Sequence, residues 1–147
     1  MRDYIKKNQR LVTILKMRKV ALENEQKVFS DLLFEKQNLE QRLNEYQKQY
    51  LEGVDKVNQL RSSSERHSLS TFEDLADHAK LNWSKSHIEL SNIQRRVQMQ
   101  GKKLQEAHAS VKAAEEMKHR TWQELANEVS RQEQESQDDS YNWKYNM

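Results

Sequence analysis

Residues 38–54 read NLEQRLNEYQKQYLEGV, and within them Leu39, Leu43, Tyr46 and Tyr50 recur at spacings of four, three and four. That rhythm marks one face of an α-helix pressed along a second helix. Gly53 stands where the next large side chain belongs. Extended outward, the pattern places Leu15, Leu22, Phe29, Lys36, Leu43, Tyr50 and Val57 at position a. Leu11, Arg18, Glu25, Leu32, Leu39, Tyr46, Gly53 and Leu60 fall at position d. Eleven of these fifteen positions are apolar or aromatic in a chain that is 35% hydrophobic, so the repeat is real. A helix over residues 4–61 is expected, about 85 Å long.

Composition points the same way. The 147 residues are 33% charged, with two glycines and no proline. Tight hairpin turns that need positive φ are scarcely available, which argues against an antiparallel sheet. Long helices sharing a narrow apolar seam fit this profile, and the expected fold class is all-α. Cysteine is absent, which removes disulfides, thiolate nucleophiles and cysteine-based zinc sites. The opening MRDYIKKNQRLVTILKMRKV interrupts its apolar residues with charge every few positions, so it carries neither a signal-peptide core nor a membrane span. The cytosol is the expected compartment.

Beyond residue 61, RSSSERHSLS ends the periodicity with a serine cluster and no helix breaker. A polar turn over 62–70 is expected, with Ser70 capping a second helix and Glu73 completing a capping box. The second repeat sets Leu69, Ala76, Trp83, Leu90, Val97, Leu104, Val111, Lys118 and Leu125 at a. Phe72, Ala79, Ser86, Ile93, Gln100, Ala107, Ala114 and Thr121 take d. This helix is expected over 71–135, followed by a flexible tail at 136–147 in which Tyr141, Trp143 and Tyr145 alternate with polar residues. Two long periodic helices joined by a short polar segment make an antiparallel coiled-coil hairpin, one domain over 1–147.

Facing a against d leaves two registers. One sets Glu25 level with Leu104 and Arg18 with Val111. The other, one heptad away, pairs Leu60 with Ala76, Gly53 with Trp83, Tyr50 with Ser86, Leu43 with Ile93, Lys36 with Gln100, Leu22 with Ala114 and Leu11 with Leu125. It matches large to small and polar to polar, and is the expected one. Toward the chain ends the seam includes Asn8, Arg18, Glu25, Lys118 and Thr121, which predicts looser packing there. Val12, Ile14, Met17, Val20 and Trp122 lie off the seam, as on a surface awaiting a partner.

Charge is uneven although the net value is +2. Residues 1–20 carry seven Lys or Arg against Asp3, and residues 121–147 carry six acids against Arg131 and Lys144. The two ends are expected to meet in the hairpin. The basic run Lys6, Lys7, Arg10, Lys16, Arg18 and Lys19 is read as a solvated helix face, so neither nucleic acid nor membrane insertion is expected.

No catalytic, cofactor-binding or metal-binding residue is assigned. His67, His78, His87, His108 and His119 never recur at helical ligand spacing. The Ser, Glu and His of SSSERH sit in a solvated turn rather than a pocket with an oxyanion hole. No glycine-rich phosphate-binding loop occurs, and no cofactor is expected.

The hairpin pattern resembles the FliJ/YscO family of type III secretion stalk proteins over nearly the whole chain. The carrying segments are LVTILKMRKVALENEQ, similar to the start of YscO-like proteins, and LEQRLNEYQKQY, which looks like the L-x(6)-Y-x(3)-Y segment of FliJ. SLSTFEDLADHAKL resembles the start of the family's second helix, and TWQELANEVSRQEQESQDD its acidic ending. The injectisome branch is slightly closer than the flagellar one.

The resemblance implies a non-enzymatic central stalk, monomeric on its own, peripheral to the secretion apparatus at the inner membrane. Its joined helix ends would enter a hexameric secretion ATPase, putting Ile14, Met17, Arg18 and Trp122 at the ring. Its other end would reach the export gate through Phe72, Ala76, Ala79 and Trp83, with Ala76 standing where a larger residue is expected. Recycling of export chaperones is implied as well. A second reading, from another class, is a structural coiled-coil scaffold or adaptor that dimerises through its seam.

Overall fold

The computed structural model describes residues 2–62 and 66–145, and of Arg66 and Tyr145 the backbone only. Helix α1 spans Arg2–Arg61 and helix α2 spans Leu69–Tyr145, with a short 3-10 turn at Arg66–Ser68 between them. The two helices pack against each other, and no strand occurs among the described residues. The all-α hairpin expected from the repeat is the fold. Two compact units are distinguishable: Met1–Gln26 with Lys103–Met147, and Lys27–Lys102.

In the Lys27–Lys102 unit, Leu32, Leu39, Val57, Leu60, Ala76, Ala79 and Ile93 are the buried apolar residues, every one of them an a or d position. Burying a leucine or isoleucine of this kind stabilises the fold by about 1.5–3 kcal/mol. Ser86 and Gln100 are buried in the same seam. Arg61 and Ser62 close α1: Arg61 Nη2 donates to Glu73 Oε1 at 3.1 Å, and the Ser62 hydroxyl donates to the carbonyls of Asn58 and Gln59. Carbonyls in the last turn of a helix lack intrahelical partners, and a serine there supplies one. Helix α2 begins at Leu69, so Ser70 lies inside its first turn instead of capping it, and Glu73 faces Arg61 across the turn.

The register is the one not expected. A Cβ built on Gly53 would lie 3.2 Å from Ala76 Cβ, so Gly53 is level with Ala76 and not with Trp83. Trp83 stacks instead on Tyr50, ring centroids 6.0 Å apart. The reason is steric: two residues with little or no side chain let the backbones meet, and an indole at that level would hold them apart. Phe29 meets Gly101 in the same unit, its Cε2 3.7 Å from where a Cβ would stand.

In the unit formed by the chain ends, several seam residues are buried. Leu15, Val111 and fully buried Ala114 form a cluster with Leu22 against it, and Leu11 and Thr121 are buried too. Arg18 does not wedge the helices open because its long stem lies along the seam while Nη1 donates to the Ser110 carbonyl at 2.9 Å. Lys19 pairs with Glu115 across the helices, at 4.0 Å and about half exposed on both sides, though Glu115 lies outside the acidic 121–147 segment. Such a pair contributes roughly 0–1 kcal/mol. Helix α2 also runs on through 136–145, where a flexible tail was expected. Residues 131–144 are exposed throughout.

The two glycines make a paired test. Gly101→Ala adds a methyl at ordinary contact distance from Phe29 and should realise most of the helix-propensity gain, about 0.5–1 kcal/mol. Gly53→Ala meets Ala76 Cβ at 3.2 Å and its Cα at 3.4 Å, so the helices must separate and the gain should be cancelled or reversed. Urea midpoints of both variants check the order; equal stabilisation would mean that Gly53 does not set the helix separation.

Candidate functional surfaces

The residues expected to contact an ATPase do not share one face. Met17 and Trp122 are prominently exposed, at 67% and 60%, and Ile14 is exposed at 38%. Arg18 is half-buried and committed to the Ser110 carbonyl. Trp122 of α2 lines a groove of about 460 Å³ with Asn8 and Val12 of α1 and with Glu115, Lys118 and His119. Ile14 lies two residues beyond Val12, about 160° away around α1, and lines a separate hollow with Lys6, Gln9, Arg10 and Thr13. The chain-end unit therefore offers two apolar flanks, Val12 with Trp122 on one and Ile14 on the other, with Met17 on the outward side. Val12 and His119 escaped sequence reasoning as partners of Trp122. The off-seam position of Val12 was visible, but not that it shares a groove with the indole.

One atom of the Trp122 groove is chemically unusual. Asn8 Oδ1 is buried without a hydrogen-bond partner among the described residues. An unsatisfied buried acceptor costs about 1–3 kcal/mol. Further along α2, Arg131 Nη2 donates to Glu128 Oε1 at 2.7 Å. That bond, with the charges of Glu128 and Glu135 behind it, pushes the already high Arg131 pKa further up. Arg131 thus remains a fixed cation on this otherwise acidic stretch.

The residues expected to contact an export gate lie on the seam side of α2. Ala76 and Ala79 are buried, and Phe72 and Trp83 are half-buried. Phe72, Ala76 and Ala79 line a groove of about 450 Å³ with Gly53, Lys56 and Leu75 among the other walls. Small residues on both helices create it: where Gly53 meets Ala76 there is no side chain to fill the flank. Lys56 Nζ caps the Phe72 ring 5.7 Å from its centroid, and Leu75 is 57% exposed at the edge. Trp83 is not part of this groove. It stacks on Tyr50 and meets the tilted His87 ring at a centroid distance of 5.4 Å, with its indole N–H buried and unpartnered among the described residues. Gly53, Lys56 and Leu75 were missed as lining residues because the expected register set Trp83, not Ala76, opposite Gly53.

Comparison with protein-family models, curated proteins and solved structures yields no match for this chain. Among the described residues no helix is long and apolar enough to cross a membrane, and no group of three or more His, Asp or Glu is placed to hold a metal ion.

Arg18 separates a structural from a contact role. The Ser110 carbonyl lies mid-helix in α2, where a backbone N–H already engages it, so removing the guanidinium orphans nothing. Arg18→Met should therefore be within about 0.5 kcal/mol of wild type or more stable, since a seam cation becomes an apolar side chain. Thermal melts check this; a loss of 2 kcal/mol or more would make the Arg18–Ser110 bond a keystone of the unit.

Proposed function

We propose that the chain is a non-enzymatic central stalk of a bacterial type III secretion or flagellar export apparatus. In this reading the chain-end unit enters the hexameric secretion ATPase, and the Lys27–Lys102 unit engages the export gate. It acts at the cytoplasmic side of the inner membrane, coupling ring to gate and recycling export chaperones, while hydrolysing nothing itself.

The observation that carries the reading is the apolar exterior of the chain-end unit. Val12, Ile14, Met17, Val20 and Trp122 are all at least 38% exposed although the seam beside them is filled by Leu11, Leu15, Val111 and Ala114. A unit with a complete internal core has no structural use for a half-exposed tryptophan and methionine; a surrounding partner does. Two flanks and an outward side suit a socket that contacts the helix pair from several directions, as the central cavity of a ring would.

A scaffold that dimerises is the second reading. Phe34, Ile88 and Met99, each more than 60% exposed in the Lys27–Lys102 unit, favour it. Its contact surface would have to be this exterior, because the seam is occupied within one chain.

The deciding experiment mixes the protein with its cognate secretion ATPase. Alanine at Ile14, Met17 and Trp122 together should weaken binding at least tenfold and abolish ATPase stimulation, with helicity unchanged. Wild-type binding by the triple variant would remove the chain-end contact. A concentration-dependent dimer in sedimentation, with no ATPase binding, would favour the scaffold.

A further inference from the structure

In the Lys27–Lys102 unit α1 covers the seam side of α2, and the opposite side carries a pattern of its own. Asp74, Leu81, Ile88 and Arg95 follow one another at intervals of seven, at the heptad position farthest from the seam. All four are exposed, Leu81 at 51% and Ile88 at 64%. From this stripe we infer that the Lys27–Lys102 unit binds a second copy of itself, α2 against α2 and antiparallel, with a two-fold axis between residues 84 and 85. The inference goes beyond the stalk reading and does not rest on it, since none of Ile14, Met17, Arg18 and Trp122 belongs to the stripe.

Charge is what points to a second copy. Along α2 the stripe runs acid, apolar, apolar, base, and reversed it runs base, apolar, apolar, acid. A second α2 turned end over end therefore sets Leu81 level with Ile88 of the second copy and Asp74 level with Arg95 of the second copy. Symmetry repeats both pairings on the other side of the axis. The flanking residues agree: Asp77 adds to the acidic end, and Arg96 and Lys102 add to the basic one. Neither Asp74 nor Arg95 forms an ion pair within the chain among the described residues. A parallel copy would set acid on acid and base on base, which repulsion disfavours.

The helix surface allows the approach. Ser84 and Lys85 lie about 50° to either side of the stripe. The serine is small enough for the helices to meet, and the lysine at the edge keeps its ammonium in water while its stem covers apolar surface. A stripe with a period of seven drifts by about 20° per heptad on a straight helix, and a slight left-handed crossing of the two copies corrects the drift. Two apolar residues and one ion-pair partner of each sign per chain make a small interface, at the low end of the size range for specific pairs. Association accordingly belongs in the micromolar range.

Sedimentation of the full chain from about 5 to about 500 µM tests this, with circular dichroism as the check on helicity. The wild type should pass from monomer to dimer across that range. Leu81→Ser combined with Ile88→Ser should raise the dimer Kd at least tenfold, whereas alanine at Ile14, Met17 and Trp122 should leave it unchanged. Asp74→Arg and Arg95→Asp should each weaken the dimer by about three- to tenfold. Combined in one chain they should restore it, because each pair then has its signs exchanged. Orientation is read separately, since the chain lacks cysteine: Asp74→Cys mixed with Arg95→Cys should form a disulfide between the two variants faster than either variant cross-links with itself. A chain that stays monomeric throughout, a dimer indifferent to the paired serine substitution, a double charge reversal no tighter than the single ones, or faster self-cross-linking of Asp74→Cys would each overturn the inference.

Discussion

The approach of Gly53 to Ala76 is the contact that fixes how the two helices of the Lys27–Lys102 unit are aligned. A hypothetical Cβ at Gly53 would stand only 3.2 Å from Ala76 Cβ, tighter than most real contacts of a Cβ. An apolar heptad can be satisfied wherever another apolar heptad faces it, so leucine on leucine contributes stability without alignment. A glycine opposite an alanine contributes alignment, because only at that level can the two backbones come so close. The groove beside Phe72, Ala76 and Ala79, the placement of Trp83 on Tyr50, and the level at which Arg61 reaches Glu73 all follow from it.

Polar residues in the seam are accommodated by different means. Arg18 solves its burial by length: the stem packs and the guanidinium finds a carbonyl that is already satisfied. Lys36 solves it by leaning toward Glu40 on its own helix. Ser86 and Thr121 are small enough to be buried outright, at 5% and 3% exposure. Asn8 and Trp83 are not fully accommodated, each leaving a buried polar atom unpaired among the described residues. These two atoms sit in different units and have different meanings. Asn8 is one of the residues lining the Trp122 groove, whereas the Trp83 indole lies against Tyr50 and His87.

Much of the fold was legible in the sequence. Leu39, Leu43, Tyr46 and Tyr50 identified one buried face, and the buried residues of both helices fall on the positions the heptads named. The register was not legible, for a reason inherent in repeats. A heptad pattern is nearly unchanged by a shift of seven, and the large-to-small rule weighed side-chain volumes while ignoring how near two backbones can come. The extent of α2 was misjudged for a related reason. Sequence reasoning ended the helix where apolar seam positions stop, but the chain through 136–145 contains no proline or glycine to stop it, and α2 continues to Tyr145. Of the candidate surfaces, the exposure of Met17 and Trp122 followed from their off-seam positions. Their grouping did not, because neighbours across two helices depend on the register.

That dependence bears on how a partner can recognise the chain-end unit. Val12 and Trp122 belong to different helices, so their groove exists only while α1 and α2 are packed side by side. Ile14 lies in a hollow lined by α1 alone, and no relative motion of the helices along their axes disassembles it. A ligand that binds the Val12–Trp122 flank therefore binds the packed pair and stabilises it over separated helices. A ligand that binds the Ile14 flank is indifferent to it. The two flanks differ in what they sense, and a socket that grips both would hold the two helices together through one and grip α1 alone through the other.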